Sequence, residues 1–514
     1  MTKIVALSLF AVALLAPAVA SANDADVLPQ GIFKVGQSVS YDWATDQFKP
    51  VFGAGTWPVT KWYNITVYLS DLSPDAAKSL DRFCGKDPAT GKNRCIVGTT
   101  DFELLESAMK LNTNVMYGIT DRLSAGFIIP YVYAMGSASL EVSGSNMGIH
   151  YKDREKKIID PKQPIAPKSS SFPGVTRTIN ADDVVTILSD PAFGFEYEDP
   201  LGLHQGWYLG DIIFGGRYLI HERDWWKTAV TLFFITPTGK QKNYNYLFDP
   251  ANGDGQLDVG FWSNNDFIVS KKKHLAFTFN FTTGYTTQFP QTKHFRVGSI
   301  SRTAWNEDAQ TYDPEDKVEN PLPIGSKASS LLDLRRDIGD NLDFYGGFKW
   351  EITPWLILSQ EFYYYYKWRD MFEVVYNPMN CELVSQYDHD NRSAKYCNEP
   401  GADHNLASIQ THQLSLQTDR EELLSTTTLT FSTLPFVESG KFPVPFFLTA
   451  GYKHSLAGKN IEQANAVFMN LDLIGSIYMF DEDFEKKMEE QKKQASMGGG
   501  IGMNYSLANQ AMTK

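Results

Sequence analysis

The chain lacks the features by which a helical membrane protein or an enzyme usually shows itself. After residue 23 no stretch approaches eighteen consecutive apolar residues, so no transmembrane helix follows. Cysteines number four in 514 residues, and their spacings are not of the C-x-x-C kind a zinc site uses. Neither G-x-S-x-G nor H-E-x-x-H occurs, and His274, His412 and His454 have no Ser and acid beside them in a recognisable local motif. A lone His on a strand is ordinarily a wall residue, so the sequence points away from an enzyme and calls for no cofactor and no metal. Basic residues are scarce as well. With 47 Lys and Arg against 60 Asp and Glu, the formal charge is −13, a poor footing for binding nucleic acid.

The start of the chain carries Lys3, an apolar run over residues 4–20, and Ala20-Ser21-Ala22. A charged n-region, an h-region and a small-residue cleavage site predict a secretory signal over residues 1–22. A membrane anchor is the rival reading; the shortness of the run and Pro17 speak against it. No linker divides residues 23–514, which are predicted to form one domain.

Alternation is what fills the rest. In the stretch 107–135, Met109, Leu111, Val115 and Tyr117 share one parity, while Lys110, Asn112, Asn114 and Met116 share the other. A turn at Gly118-Ile119-Thr120-Asp121-Arg122 leads to a second run with Leu123, Ala125, Phe127, Ile129, Tyr131 and Tyr133 on one parity. Period two means a strand whose faces meet different surroundings. Runs this long exceed the usual globular strand of about 5–6 residues and suit a tilted crossing of a bilayer, which needs roughly 9–11. Mean hydropathy is −0.29, as in a soluble protein, yet a barrel hides its signal because lumen-facing polar residues alternate with lipid-facing apolar ones. Aromatics reach 13%, including 25 Tyr and 11 Trp, which suits girdles at the two interfaces. An aromatic-rich secreted β-sandwich or propeller is the soluble alternative.

Further alternating runs cover 31–44, 207–220, 227–235, 256–269, 275–288, 342–352, 355–369, 406–418, 423–433, 444–456, 464–480 and 497–507. The series predicts an all-β fold, a transmembrane antiparallel up-and-down β-barrel of about fourteen strands, with twelve or sixteen as alternatives. Short turns join even strands to the next odd ones. Longer loops (45–106, 136–206, 289–340 and 370–405) fall on the opposite edge, with 434–443 as the shortest connection there. Short periplasmic turns and long extracellular loops are the habit of outer-membrane barrels. A run at 62–70 is placed inside the first long loop, and the charged stretch 481–494 reads as a solvated helix.

Cys84 and Cys95, and Cys381 with Cys397, form two close pairs in polar loops, as disulfides that staple loops of an exported protein would. Asn252-Gly253-Asp254-Gly255-Gln256-Leu257-Asp258 resembles the core of a calcium loop, but Pro250 and Phe261 stand where the first and twelfth ligands belong. A turn leading into a strand is the better reading. On the parity expected to face the lumen lie Lys110, Asn112, Asn114, Asn280 and Thr282, the candidates for lining a pore.

Four landmarks in order resemble a family of bacterial outer-membrane barrels linked to phenol degradation by the meta-cleavage pathway. They are Leu28-Pro29-Gln30-Gly31; Tyr117-Gly118-Ile119-Thr120-Asp121-Arg122-Leu123 with Ile129-Pro130-Tyr131; Leu209-Gly210-Asp211-Ile212 with Gly216-Arg217-Tyr218; and Pro237-Thr238-Gly239 with Gly253-Asp254-Gly255 and Leu257-Asp258-Val259-Gly260. The resemblance covers roughly residues 28–269. It implies a barrel that admits small, often aromatic or hydrophobic compounds, and it carries over no catalytic residues. The chain departs from it in its large loops at 45–106 and 289–340 and in its cysteine pairs. It also ends Leu507-Ala508-Asn509-Gln510-Ala511-Met512-Thr513-Lys514 instead of on the aromatic residue that barrel assembly reads. Either a short tail follows the last strand or the chain is incomplete.

Together these readings predict a channel in the outer membrane of a Gram-negative bacterium that passively admits small solutes. Its partners would be outer-membrane lipid, a small-molecule solute and the outer-membrane assembly machinery. The alternative is a barrel that transports nothing and whose stapled surface loops bind a partner outside the cell.

Overall fold

Alternating sequences become strands when one face can be buried, and here the runs pair into a single closed sheet. The computed structural model describes residues 24–59, 64, 66–69, 80, 83–84, 95–153, 155, 158–159, 165–167, 175, 177–189, 197–202, 205–241, 243, 246, 253–270, 276–295, 305–306, 311–312, 332–375, 415 and 418–476. The wall consists of β1 (Ile32–Ala44), β2 (Ile96–Thr120), β3 (Leu123–Ser143), β4 (Ile213–Glu222), β5 (Trp226–Ile235) and β6 (Asp258–Ser270). It continues with β7 (Ala276–Gln288), β8 (Asn341–Thr353), β9 (Leu356–Lys367), β10 (Arg420–Ser432), β11 (Phe446–Lys459) and β12 (Asn465–Ser476). Every strand pairs antiparallel with its neighbours in sequence, and β12 returns to β1 through Ile32↔Ser476 to Trp43↔Asn465. Closure removes the free sheet edges, whose unpaired N–H and C=O groups lipid cannot satisfy.

The barrel has twelve strands where fourteen are predicted. β9 pairs directly with β10, from Leu356↔Phe431 to Lys367↔Arg420, so the run at 406–418 has no place in the wall. The β1–β12 seam likewise leaves no place for 497–507. Most of 406–418 and all of 497–507 lie outside the described residues, as does the expected helix at 481–494. Losing one strand before β10 reverses the last three. The connection at 434–443, expected on the long-loop edge, therefore lies on the short-turn edge, where α2 (Leu434–Glu438) follows β10. The turn between β11 and β12, with Asn460 at φ 53°, lies on the other edge.

Exposure identifies the solvent. Leu232, Phe261 and Phe279 are each 48% exposed on the outside of the sheet, while Asn264, Thr282, Thr449 and Asn470 are fully buried on the inside. This inverts a water-soluble protein, in which a continuous apolar exterior of this kind would be an unsatisfied surface. It is the arrangement of a barrel in lipid.

β2 and β3 are 25 and 21 residues long and run well past their neighbours. Their far halves carry the short strand Thr66–Tyr68, which pairs with β2 inside the first long loop. They also support a small core of Leu69, Leu80, Cys95, Val97, Met147, Ile149, Ile165 and Ile179. Cys84 and Cys95 are joined as a disulfide at its side. The second expected pair, Cys381 and Cys397, lies outside the described residues. α1 (Ala181–Ser189) packs near β3, with Asp183 accepting from the backbone N–H of Asn180 and paired with Arg177.

Candidate functional site

Polar side chains line much of the inside of the barrel, and its short-turn end is occupied by the chain's own segment 24–31. Gly31 at its end has φ 78°, a left-handed turn that suits glycine, and its N–H donates to the Gly118 carbonyl at 2.9 Å. Gly118 has to be glycine for a second reason: a Cβ there would overlap the carbonyl oxygens of Pro29 and Leu28. The Gln30 N–H donates to Asp121 Oδ1 at 3.2 Å, and the Leu28 N–H to Ser124 Oγ at 2.7 Å. From this anchor on the β2–β3 turn the segment crosses inward over β4, β5 and β6.

What holds it there is charge. Arg217 Nη1 on β4 reaches Asp24 Oδ1 at 3.1 Å and the Asp26 carbonyl at 3.3 Å. Lys227 on β5 reaches Asp26 Oδ1 at 2.7 Å and Glu222 at 3.2 Å. The Ala25 N–H donates to Asp266 Oδ2 on β6 at 3.0 Å, and the Ala25 side chain packs, fully buried, against Leu219 and Ala229. Lys349 on β8 and Lys34 on β1 add attraction at Asp24 from other arcs of the wall. A charge inside a low-dielectric shell keeps its place only if paired, and here each acid of the segment has a basic partner on the wall.

Arg217 is itself fixed by a chain of hydrogen bonds across four strands. Its Nε donates to Thr231 Oγ1 at 3.0 Å, Thr231 donates to Asn264 Oδ1 at 2.8 Å, and Asn264 Nδ2 donates to Thr282 Oγ1 at 3.1 Å. All these groups lie on the inward parity. On the rung of Arg217 and Thr231, Trp262 sits 4.8 Å from Phe233 and 6.0 Å from Tyr345, ring centre to ring centre, and Tyr345 stacks on Tyr363 at 4.3 Å.

The residues singled out from the sequence fall into two groups on different arcs. Thr282 ends the chain just described, and Asn280 Nδ2 donates to Asp266 Oδ1 at 2.6 Å, so β7 contributes to the floor under the segment. Lys110, Asn112 and Asn114 are on β2, five strands away. Lys110 pairs with Asp42 at 2.5 Å, Asn112 approaches Ser38 Oγ at 3.5 Å, and Asn114 is buried beside Gly36. The structure does not bring the two groups into one cluster. The sequence reading passed over Asp24, Asp26, Lys227 and Asp266. The available signal was an acidic pair just past the predicted cleavage site, together with basic residues on inward parity in β4 and β5. His454, considered above for catalysis, sits on the outward parity against Asn465 Oδ1 at 2.6 Å.

The remaining landmarks meet at the opposite end. Residues Gly206–Leu209 pair with β3 in line with β4, and the break at Gly210-Asp211-Ile212 is closed by the next connection. Thr238 Oγ1 accepts from the Ile212 N–H at 2.9 Å and donates to the Gly210 carbonyl at 3.1 Å, and Asp211 Oδ1 accepts from the Gly239 N–H at 2.7 Å. Gly253 packs against the Asp211 carboxylate and Gly239 with no room for a side chain. Burial pushes the Asp211 carboxyl up, against the opposing pull of the Gly239 N–H. The loop once compared with a calcium site is a turn here: Asp254 Oδ1 accepts from the Gln256 N–H at 2.8 Å, and Lys293 contacts the Asp254 carbonyl.

No protein-family model matches the chain, and no curated protein matches it. Similar solved structures include an outer membrane channel from Pseudomonas putida F1 (9% identity, 88% of this chain and 98% of that one, TM-score 0.40). Others are the toluene transporter TbuX of Ralstonia pickettii (9% identity, 87% and 90%, TM-score 0.30) and the translocator domain of the autotransporter NalP from Neisseria meningitidis (6% identity, 87% and 90%, TM-score 0.26). Likenesses this distant say nothing of a solute, so function has to be read from the barrel itself.

Proposed function

We propose that the chain is an outer-membrane channel that passively admits small solutes, stopped at its short-turn end by segment 24–31. The observation that carries the reading is this segment. It fills an inward face built of Arg217, Lys227, Thr231, Asn264 and Asp266, side chains that a solid apolar core would not need. A wall of twelve strands encloses a lumen wider than the side chains of an eight-strand barrel can fill, so a selective channel of this size needs a plug. Lys110, Asn112, Asn114, Asn280 and Thr282 line the path in this reading. Lipid surrounds the apolar band, and the short turns face the periplasm.

Planar-bilayer conductance tests it. The unaltered chain should show few or no steps, and a variant lacking residues 24–30 should show discrete, long-lived ones. A variant that assembles as a barrel and stays closed would sink the channel reading.

A further inference from the structure

The groups that hold segment 24–31 do more than seal a mouth: they bind carboxylates. Arg217 takes the Asp24 carboxylate at 3.1 Å while Thr231 fixes its Nε side, so the guanidinium fork is already aimed before the segment arrives. Lys227 takes the second carboxylate at 2.7 Å, and Lys349 adds its charge to both acids. The wall has acids of its own here. Asp266 is engaged by Ala25 and Asn280, Glu222 shares Lys227, and Glu351 acts on Lys349. The pull on an anion therefore comes from the directed fork of Arg217 more than from net charge.

An aromatic pad adjoins this site. In the wall Arg217 is opposite Thr231, and Thr231 is opposite Trp262, so Arg217 and Trp262 share one rung two strands apart, about 10 Å along the hydrogen-bonding direction. The Trp262 ring lies over Gly284 and is flanked by Phe233 and Tyr345. The Trp262 ring leans toward β7 and β8, while Arg217 reaches to Thr231 and Asp24. The ring is thus a neighbour of the guanidinium fork and not part of the carboxylate site.

We infer that Arg217 and Lys227 form a carboxylate-binding site which Asp24 and Asp26 fill when the segment is seated, and that its free ligand is a small carboxylate. The inference rests on the channel reading, because a solute has to displace the segment to reach the site. It deepens that reading by naming the solute class.

The test is calorimetric titration of the full chain in detergent with sodium benzoate, with benzyl alcohol as the neutral probe. Barrels are selected by their heat-dependent migration on gels. Asp24→Asn with Asp26→Asn should bind benzoate about tenfold more tightly than the unaltered chain, since the tethered competitors are gone. The variant lacking residues 24–30 should do the same, adding Arg217→Gln should abolish the gain, and benzyl alcohol should not distinguish the proteins. Equal benzoate affinity with and without residues 24–30 would overturn the proposal. So would a gain that survives Arg217→Gln, or benzyl alcohol binding as tightly as benzoate. Titration needs no current, so a closed deletion variant would count against the channel and leave this site to the calorimetry.

Discussion

The two ends of the barrel are built by different means. At the short-turn end one extended segment of eight residues lies across the lumen, held by ion pairs and hydrogen bonds to five wall strands and packing little more than Ala25 and Val27 against carbon. At the long-loop end β2 and β3 outgrow the wall and support a core of their own, stapled by Cys84–Cys95. A separate three-stranded sheet is formed by Gln291–Phe295, Leu332–Asp337 and Met371–Val374. There Arg336 pairs with Asp370 at 2.6 Å and lies over the rings of Phe295 and Phe372. Apolar burial gives the outer end structure that does not depend on one contact. The inner end depends on a few charges and can exchange them for others. A closure meant to move is built from polar contacts, because each can be replaced by water or a solute at modest net cost.

Removing residues 24–30 breaks the comparison most completely and should turn a silent barrel into a conducting one. Next in size is Arg217→Ala. It strands the Asp24 carboxylate in the lumen, and losing one partner of such a pair costs about 3 kcal/mol or more, enough to shift the seated-to-free ratio of the segment about 100-fold. Bilayer recordings should then show frequent openings without any deletion. Gly118→Ala should act more weakly, because its Cβ collides with the Pro29 and Leu28 carbonyls and the segment must shift at a cost of about 1–3 kcal/mol. Brief openings and faster protease cleavage near residue 28 would show it, and an unchanged cleavage rate would mean that the β2–β3 turn does not anchor the segment.

The outer end sharpens the contrast through pH. Burial by itself would raise the Asp370 carboxyl, but Arg336 and Lys367 bring it below its ordinary value. A carboxyl lowered on folding stabilises above its unfolded value of about 3.9 and ceases to do so as pH falls through the folded one. Hydrogen exchange over residues 332–337 and 371–374 should therefore stay slow at pH 5–7 and quicken only below about pH 4. Asp370→Asn should quicken the same amides at neutral pH and leave the currents of the deletion variant unchanged.

Much of the wall was legible because a strand between lipid and lumen must alternate, and alternation survives in the sequence whatever the partners are. The hairpin at 107–135 is found where its parity puts it, within a pair of longer strands. The run at 406–418 shows the limit. It alternates as well as its neighbours, yet β9 passes it over for β10, and only pairing can reveal that. The same gap turned the 434–443 connection to the other edge. The landmarks Leu28-Pro29-Gln30-Gly31 and Gly216-Arg217-Tyr218 were visible as motifs, but nearly two hundred residues separate them, and nothing in either says that they touch.

The sequence by itself determined that this chain makes a membrane-length antiparallel wall with an apolar outside and a polar inside, since period two fixes which residues share a face. How many strands close that wall, and that residues 24–31 turn back into it to meet Arg217 and Lys227, only the tertiary structure decided. Closure and plugging are matches between distant surfaces, and the free energy of such matches resides in pairs of residues that no local pattern records.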